Sequence, residues 1–413
     1  MSNKTQGIRK KLESADGLFK RGMFSKADKI YSEISAEDPG NFCSALRLGH
    51  LALLSNRLDD AHKLLAKATE LKPEDTGTRA LLAEVFYRRD NFHDAAVLLR
   101  AIGREAKAKK LESFGHVSPY KIEDTAESVG LKFIVTDPLP VVEVQVNDSK
   151  PVNFVIDTGG AEVVIDSEFA EEIGAEHFES ETGTFAGGKQ GGFEHGRVDS
   201  IILNDVVVKN IPVNIMGVRR FSEPIFGGKR VDGIVGTVLL YHFLATLDYP
   251  QGELVLRFKT RESLKRFMRT AGEHKQVVVP FWMAGDHYMV AFGTVNRTQP
   301  MLFFVDTGLA GGGFSCPEST LKKAGIRPQE SMASEGIGGG GKLRFIPFIA
   351  EELALGKARE QNIHGSYEGA FPLENAFGFH IGGLISHEFF RHYAFTMDFT
   401  GMRYYLKRKG KQT

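Results

Sequence analysis

Two aspartates, each at the start of the same three-residue motif, are the residues best suited to acid–base catalysis. Asp157 and Asp306 each begin an Asp-Thr-Gly sequence. Two carboxylates about 3 Å apart repel each other so strongly that the pair shares one proton over a wide pH range. The ionised carboxylate can then take a proton from water, while the protonated one polarises a carbonyl group. Such a pair, once the fold brings it together, is suited to the hydrolysis of an amide bond.

The residues around both aspartates fit a rigid site. Each aspartate follows an apolar run typical of a buried strand, residues 154–156 in the first case and 303–305 in the second. The threonine hydroxyls can form hydrogen bonds across the pair. The glycines let the chain turn sharply, so that backbone N–H groups approach the carboxylates. The expected supporting residues of the two catalytic loops are Thr158, Gly159, Thr307 and Gly308.

A duplicated β unit carries the two aspartates. The segment 140–160 matches 288–309, and the segment 231–256 matches 381–406. The offset between matching residues stays at 149 or 150 across these segments, which indicates duplication and not chance. Alternating apolar residues, β-branched residues and glycines predict that each copy consists mainly of strands. The two copies are therefore expected to form two similar lobes, each contributing one aspartate.

These motifs resemble the clan of pepsin-like and retroviral-type aspartic peptidases over residues 131–408. The clan's second signature, two apolar residues and a glycine, is matched by residues 234–236. In the second copy it is matched by residues 384–386, which end in serine instead of glycine. The position after Asp-Thr-Gly holds Gly160 in one copy and Leu309 in the other, which is closer to retroviral-type enzymes. The resemblance implies an aspartic endopeptidase with a bilobal, all-β fold.

Each copy also carries a glycine-rich loop about 30 residues after its aspartate. In the resembling clan, a β-hairpin called a flap closes over the substrate at this position, and retroviral-type enzymes have two flaps. Glycine-rich tips suit a lid that opens and closes. Neither loop contains the tyrosine of pepsin-like flaps, and both also fit ordinary hairpin turns. The expected flap residues are Phe185, Gly187 and Gly188 in the first copy and Ile337, Gly338 and Gly339 in the second.

A different repeat, with a period of 34 residues, occupies the N-terminal part of the chain. Small residues recur at this step, and between them apolar residues follow the i, i+3, i+4 and i+7 spacing of helices. The small residues let the two helices of a hairpin pack closely. The pattern resembles three tetratricopeptide repeats over residues 8–108, and such arrays offer a surface for protein partners. The recurring residues are Ala15, Gly49 and Ala83, and Ala27, Ala61 and Ala95.

The predicted architecture is a multi-domain chain. An all-α tetratricopeptide-like solenoid precedes an all-β bilobal acid-protease-like fold with two retropepsin-like lobes. A mostly irregular linker is expected before the first lobe, and a polar helical or loop connector is expected between the lobes. The expected segments are 8–108 for the repeats, 109–130 for the linker, 131–258 for lobe one, 259–275 for the connector and 276–408 for lobe two.

Composition and short motifs argue against several other classes of protein. The formal net charge is zero, so no overall field favours nucleic acid or an anionic membrane, and no apolar run is long enough to span a membrane. The two cysteines, Cys43 and Cys316, suit a reducing, cytoplasmic location. The loop 336–342 lacks the serine or threonine of a phosphate-binding loop, and His387 and His392 have the wrong spacing for a helical zinc motif. Neither a cofactor nor a metal is expected.

Three functions remain open from the sequence. The first is an active endopeptidase that cuts polypeptides as a monomer, with intramolecular pairing of its lobes and a helical array that docks protein partners. The second is a binding or scaffold protein whose peptidase fold has lost activity, which Leu309 and Ser386 favour. The third is an adaptor dominated by the helical array. The presence of both aspartates and both threonines favours the first function.

Overall fold

The computed structural model describes residues 3–123, 127–271 and 276–409 of the chain. Parts of the expected linker, residues 124–126, and of the expected connector, residues 272–275, lie outside the described residues. Helices come first in the chain and strands follow. The predicted combination of an N-terminal helical array with a β-rich bilobal region is confirmed.

Helices pair along the N-terminal part into three hairpins followed by one further helix. Consecutive helices pack on each other in the pairs α1–α2, α3–α4 and α5–α6. The helices of the described residues are α1 Asn3–Lys20, α2 Phe24–Glu37, α3 Phe42–Leu54, α4 Leu58–Leu71, α5 Thr76–Arg88, α6 Phe92–Ala101 and α7 Glu105–Glu112.

Local chemistry sets where these helices begin and how closely they pack. The side chain of Asn41 accepts a hydrogen bond from the Ser44 N–H at the start of α3, and that of Asp75 accepts one from the Thr78 N–H at the start of α5. These bonds satisfy N–H groups of the first helical turn that have no partner within the helix. A Cβ atom on Gly49 of α3 would lie 2.7 Å from Leu65 Cγ of α4. The small residues of the 34-residue repeat therefore permit close helix contact.

The elements of lobe one follow the helical array. They are β1 Lys121–Glu123, β2 Ser128–Lys132, β3 Val141–Val146, β4 Val152–Ile156, β5 Val163–Asp166, α8 Ser167–Glu172, β6 Glu176–Thr184, β7 Gln190–Leu203, β8 Val206–Met216, α9 Arg219–Ile225, β9 Gly233–Val235, α10 Thr237–Tyr241, β10 Phe243–Asp248 and β11 Glu253–Phe258.

Helix α11 leads from lobe one to lobe two. Its bounds and those of the elements of lobe two are α11 Arg261–Ala271, β12 Val277–Ala284, β13 Tyr288–Val295, β14 Met301–Val305, β15 Phe314–Ser315, α12 Glu318–Ala324, β16 Ser334–Gly338, β17 Gly341–Leu355, β18 Ala358–Tyr367, β19 Ile381–Ile385, α13 His387–Phe390, β20 Tyr393–Asp398 and β21 Arg403–Arg408.

The two lobes have the same strand order. In lobe one the order is β6-β7-β8-β5-β9-β4-β3, and β3 also pairs with β7. In lobe two the order is β16-β17-β18-β15-β19-β14-β13, and β13 also pairs with β17. Each sheet therefore curves back on itself around its own core. This equivalence is the structural counterpart of the sequence duplication.

A shared sheet joins the lobes through strands from both copies. Its order is β2-β11-β10-β20-β21-β12, and β10 meets β20 in the middle. At that contact Thr246 lies opposite Thr396, and their hydroxyl oxygens are 2.7 Å apart. Because these two threonines occupy matching positions of the duplication, the lobes are related by a pseudo-twofold axis near this pair.

The segment 109–130 is more regular than the mostly irregular linker that the sequence predicted. It contains the end of α7, the strand β1, which pairs with β8, and most of β2, which pairs with β11. Val129 and Leu131 of β2 point into the core while their neighbours are exposed. The short strand β2 is stabilised by its pairing with β11, which is distant in the chain. The five-part division of the chain stays a prediction.

No helix within the described ranges is both long and apolar enough to cross a membrane.

Candidate active site

Each sequence-predicted aspartate lies directly after a buried strand of its lobe. Asp157 follows β4 and Asp306 follows β14. The Asp157 N–H donates to Val235 O at 3.1 Å, and the Asp306 N–H donates to Ile385 O at 3.0 Å. Val235 and Ile385 belong to the second signatures, whose strands run parallel to β4 and β14. The second signature of each lobe therefore fixes the backbone of its aspartate.

The two threonines connect the two Asp-Thr-Gly loops by four hydrogen bonds. Thr158 Oγ1 donates to Val305 O at 3.1 Å and accepts from the Thr307 N–H at 3.0 Å. Thr307 Oγ1 donates to Ile156 O at 3.2 Å and accepts from the Thr158 N–H at 3.0 Å. Both threonines are fully buried. This symmetric network sets the separation of the two loops.

The two glycines bring the carboxyl groups together. The Gly159 N–H donates to Asp157 Oδ1, and the Gly308 N–H donates to Asp306 Oδ1, each at 2.7 Å. A Cβ atom on Gly159 would lie closer than 3.0 Å to the Asp306 carboxyl group, and one on Gly308 would lie equally close to that of Asp157. Each carboxyl group therefore lies against the glycine of the opposite loop, where a side chain has no room.

The electrostatics of the pair follow from this geometry. Burial raises the pKa of Asp306 well above its ordinary range, and the negative charge of Asp157 and a hydrogen bond with it act in the same direction. Two carboxyl groups in hydrogen-bond contact cannot both ionise easily, so one proton is retained between them. The arrangement offers one basic and one acidic oxygen toward a common space.

Residues 142–239 match the family model described as aspartyl protease. The matched segment contains Asp157 and the second signature 234–236 of lobe one. A tetratricopeptide repeat model matches residues 18–77. Both resemblances drawn from the sequence are therefore confirmed: residues 142–239 are similar to aspartyl proteases, and residues 18–77 are similar to tetratricopeptide repeats.

One similar solved structure is that of a retropepsin-like aspartic protease from Rickettsia conorii. The two chains share 17% sequence identity with a TM-score of 0.23, and the match covers 34% of this chain and 94% of that chain. No curated protein matches the chain.

Lobe two accommodates a serine in its second signature. In lobe one, Gly236 is required, because a Cβ atom there would overlap the Glu162 carbonyl oxygen. In lobe two, Ser386 is fully buried, and its hydroxyl accepts a hydrogen bond from the Leu309 N–H at 3.2 Å. The serine thus satisfies a backbone group of the catalytic loop.

The two expected flaps are β-hairpins whose tips touch. The first is β6–β7 and the second is β16–β17. A Cβ atom on Gly339 would lie 2.6 Å from the Phe185 ring, and one on Gly187 would overlap Leu343 of the other hairpin at 2.5 Å. The tips therefore need glycine because they approach closely.

The other expected tip residues have different surroundings. A Cβ atom on Gly188 would lie 3.5 Å from Pro372 Cγ of lobe two, and one on Gly338 would lie 3.3 Å from Leu343 Cδ1 of its own hairpin. Ile337 is 43% exposed. Of the two large apolar side chains expected in the flaps, Phe185 is therefore the one that contacts the opposite hairpin. The role of these hairpins as lids stays a prediction.

A third carboxyl group near the pair was missed from the sequence. Glu368 follows β18 and accepts hydrogen bonds from Ser315 Oγ and Ser366 Oγ, both at 3.3 Å. Burial raises the pKa of Glu368. Its negative charge contributes to the raised pKa of Asp306. A single glutamate in a loop gives no sequence signal of this placement.

Proposed function

We propose that the chain is an aspartic endopeptidase that hydrolyses peptide bonds with a water activated between Asp157 and Asp306. The observation that carries the proposal is the contact of each carboxyl group with the glycine of the opposite loop. The four hydrogen bonds between the threonines support it, because they hold the pair rigid before substrate arrives.

In the proposed reaction, the two aspartates have different roles. The pair shares one proton in the free enzyme; in the proposal Asp306 is the protonated partner and Asp157 is the base. Asp157 takes a proton from the water, the water oxygen forms a bond to the peptide carbonyl carbon, and Asp306 gives its proton to the carbonyl oxygen. The tetrahedral intermediate then loses its C–N bond. Asp157 gives its proton to the leaving nitrogen, and a hydroxyl group of the intermediate returns a proton to Asp306, so that the pair again holds one proton.

The proposed substrate is an extended polypeptide. It would lie between the carboxyl pair and the two hairpins, where an extended chain can form strand-like backbone hydrogen bonds. Since one chain supplies both aspartates and both hairpins, we expect the active species to be a monomer. The hairpin tips touch in the present structure, so they must separate for a polypeptide to enter.

The helical repeats and the cysteines support two further proposals. Tetratricopeptide repeats suggest protein–protein interaction, and we propose that their exposed face docks a protein partner. Cys43 is exposed, Cys316 is buried, and neither forms a disulfide. Two free thiols are typical of a reducing compartment, so we propose a cytoplasmic location.

Cleavage of an unstructured polypeptide tests the proposed activity. We expect the wild-type protein to cut it somewhere between about pH 4 and 7.5, because one proton must be shared by the pair. Asp157→Asn and Asp306→Asn should each lower kcat at least about a hundredfold, since each removes one proton-transfer group. The exposed Asp148 is a matched site for an Asp→Asn control, which should leave the rate unchanged. Cleavage by both active-site variants at the wild-type rate would refute the proposal.

The second candidate is a binding protein with a peptidase fold and no activity. Leu309 and Ser386 favour it, since both depart from the pattern of the clan. On this alternative, a statine-type inhibitor binds to the pair while no polypeptide is cut at any pH. The cleavage assay combined with inhibitor binding therefore separates the two candidates.

A further inference from the structure

We propose that the helical array positions the carboxyl pair, because it holds the catalytic loop of lobe one through Glu162 and the β14 strand of lobe two through Leu302 and Phe304. This inference rests on the proposed function, because positioning matters for catalysis only if the pair is catalytic. The contacts that carry it come from both lobes and do not include either aspartate.

The array faces the β lobes through one repeated position. Gly22, Asn56 and Asp90 are 34 residues apart, and each lies in the turn between the two helices of a hairpin. All three have a positive φ, of 72°, 53° and 58°. Each contacts the β region, and the respective partners are the side chain of Leu302, the carbonyl oxygen of Phe399 and Nε2 of His242.

The first connection reaches the loop that carries Asp157. Glu162 ends this loop and is only 2% exposed. Its carboxylate accepts a hydrogen bond from Tyr87 Oη at 2.5 Å and forms an ion pair with Lys110 Nζ. Tyr87 belongs to α5 and the fully buried Lys110 to α7. A buried carboxylate and ammonium must remain paired, so this contact fixes the end of the loop against the array.

The loop in turn packs on the strand of the second signature. The Glu162 carbonyl oxygen lies where a side chain at Gly236 would have to be. The Val238 N–H donates to Ala161 O at 2.8 Å, directly beside it. A displacement of Glu162 would therefore shift the backbone between Asp157 and the second signature, on which the position of the carboxyl group depends.

The second connection reaches the strand that ends at Asp306. Leu302 and Phe304 of β14 are buried in an apolar cluster that also contains Phe19 and Phe24 of the array. Phe24 contacts Trp282 of lobe two, with 5.2 Å between ring centroids. Apolar packing of this kind transmits small shifts, because interiors are close-packed.

A buried arginine adds a polar contact to lobe two. Arg88, the last residue of α5, donates to Met283 O at 2.8 Å and to Gly285 O at 2.6 Å. These carbonyl groups lie at the turn between β12 and β13, and β13 pairs with β14. Neighbouring residues of one helix, Tyr87 and Arg88, therefore contact opposite lobes, so α5 spans the two halves of the site.

Removal of a single hydroxyl group tests this role. Tyr87→Phe loses the hydrogen bond to Glu162 and keeps the ring. Tyr31→Phe is the matched control. Tyr31 Oη donates to Asp16 Oδ1 of the array, also at 2.5 Å, and the substitution keeps the Tyr31 ring in the apolar cluster that contains Leu302 and Phe304. We expect Tyr87→Phe to lower kcat about tenfold with KM within about twofold, since it misplaces the pair and not the substrate. Tyr31→Phe should leave both constants unchanged.

A second measurement does not depend on activity. Amide hydrogen exchange of the peptide 154–165, measured by mass spectrometry on the whole protein, should be about tenfold faster in Tyr87→Phe than in Tyr31→Phe. If the wild-type protein cuts no polypeptide, the proposed function fails. The exchange result then still shows whether the array holds the loop that carries Asp157 in place. Equal exchange of this peptide in both variants would overturn the positioning role.

Discussion

Asp306 determines how the protein should respond to pH. Burial, followed by the charge and the hydrogen bond of Asp157, raises its pKa well above the ordinary range. The folded protein therefore binds this proton more tightly than the unfolded chain does. The stability that the protonated group contributes is complete below the ordinary carboxyl pKa and is lost as pH rises through the raised value. Above that value, two negative charges repel each other in the folded state.

Asp306→Asn should therefore stabilise the protein at neutral pH. The amide has no charge, and its N–H can still donate to Asp157. We expect its free energy of unfolding to exceed that of the wild type by about 1 kcal/mol or more near pH 7, and the difference to vanish below about pH 4. Urea denaturation at several pH values measures this, with the exposed Asp148→Asn as a control. A variant that is less stable at neutral pH would contradict the shared proton.

The sequence predicted the candidate residues that lie next to each other in the chain. Asp157, Thr158 and Gly159 follow a strand, and their duplicates do the same, so the spacing alone predicted the loops. Glu162 and Glu368 were missed because their partners are distant in the chain: Tyr87 is 75 residues from Glu162, and Ser315 is 53 residues from Glu368. No periodic pattern marks such single contacts.

The hairpins β6–β7 and β16–β17 are the elements that we propose to open for substrate entry. Phe185 lies against Gly339 of the opposite hairpin, whereas Ile337 is 43% exposed. Phe185 is therefore the aromatic ring in the contact between the tips, which also includes Leu343 against Gly187. Glycine-rich tips predicted two turns, but their mutual contact depends on how the lobes face each other.

Phe185→Ala should impair closure more than Ile337→Ala does. We expect the first to lower kcat/KM about tenfold, since the closed hairpins exclude water and hold the substrate. The second should change it by less than about threefold. Steady-state kinetics on one peptide measures both, and thermal unfolding checks that the variants stay folded. Equal effects of the two substitutions would show that the ring does not control closure.

Elements with a clear period were predicted well, and short paired strands were not. The helical hairpins follow from the 34-residue repeat and the paired lobes from the duplication. Strands β1 and β2 were not predicted, because three to five residues give little alternation of apolar and polar side chains. Pairing with β8 and β11 stabilises them. The end of helix α7 lies in the segment that was expected to be a mostly irregular linker, and its Lys110 forms an ion pair with Glu162.

At the scale of the whole molecule, one chain builds a site that needs two matching halves. The shared sheet brings β10 beside β20, and the helical array contacts both lobes. The sequence predicted the array as a docking module and did not single out Asn56 or Asp90. Their contacts with the lobes arise from tertiary packing, which no local pattern encodes. The array therefore belongs to the same structural unit as the lobes.

Calorimetric titration with a statine-type inhibitor tests the central claim most directly, because it counts carboxyl-pair sites per chain. We predict one inhibitor bound per chain at any protein concentration, with binding weakened at least about a hundredfold in both Asp157→Asn and Asp306→Asn. One inhibitor per two chains, or unchanged binding in either variant, would contradict a site that both halves of a single chain form together.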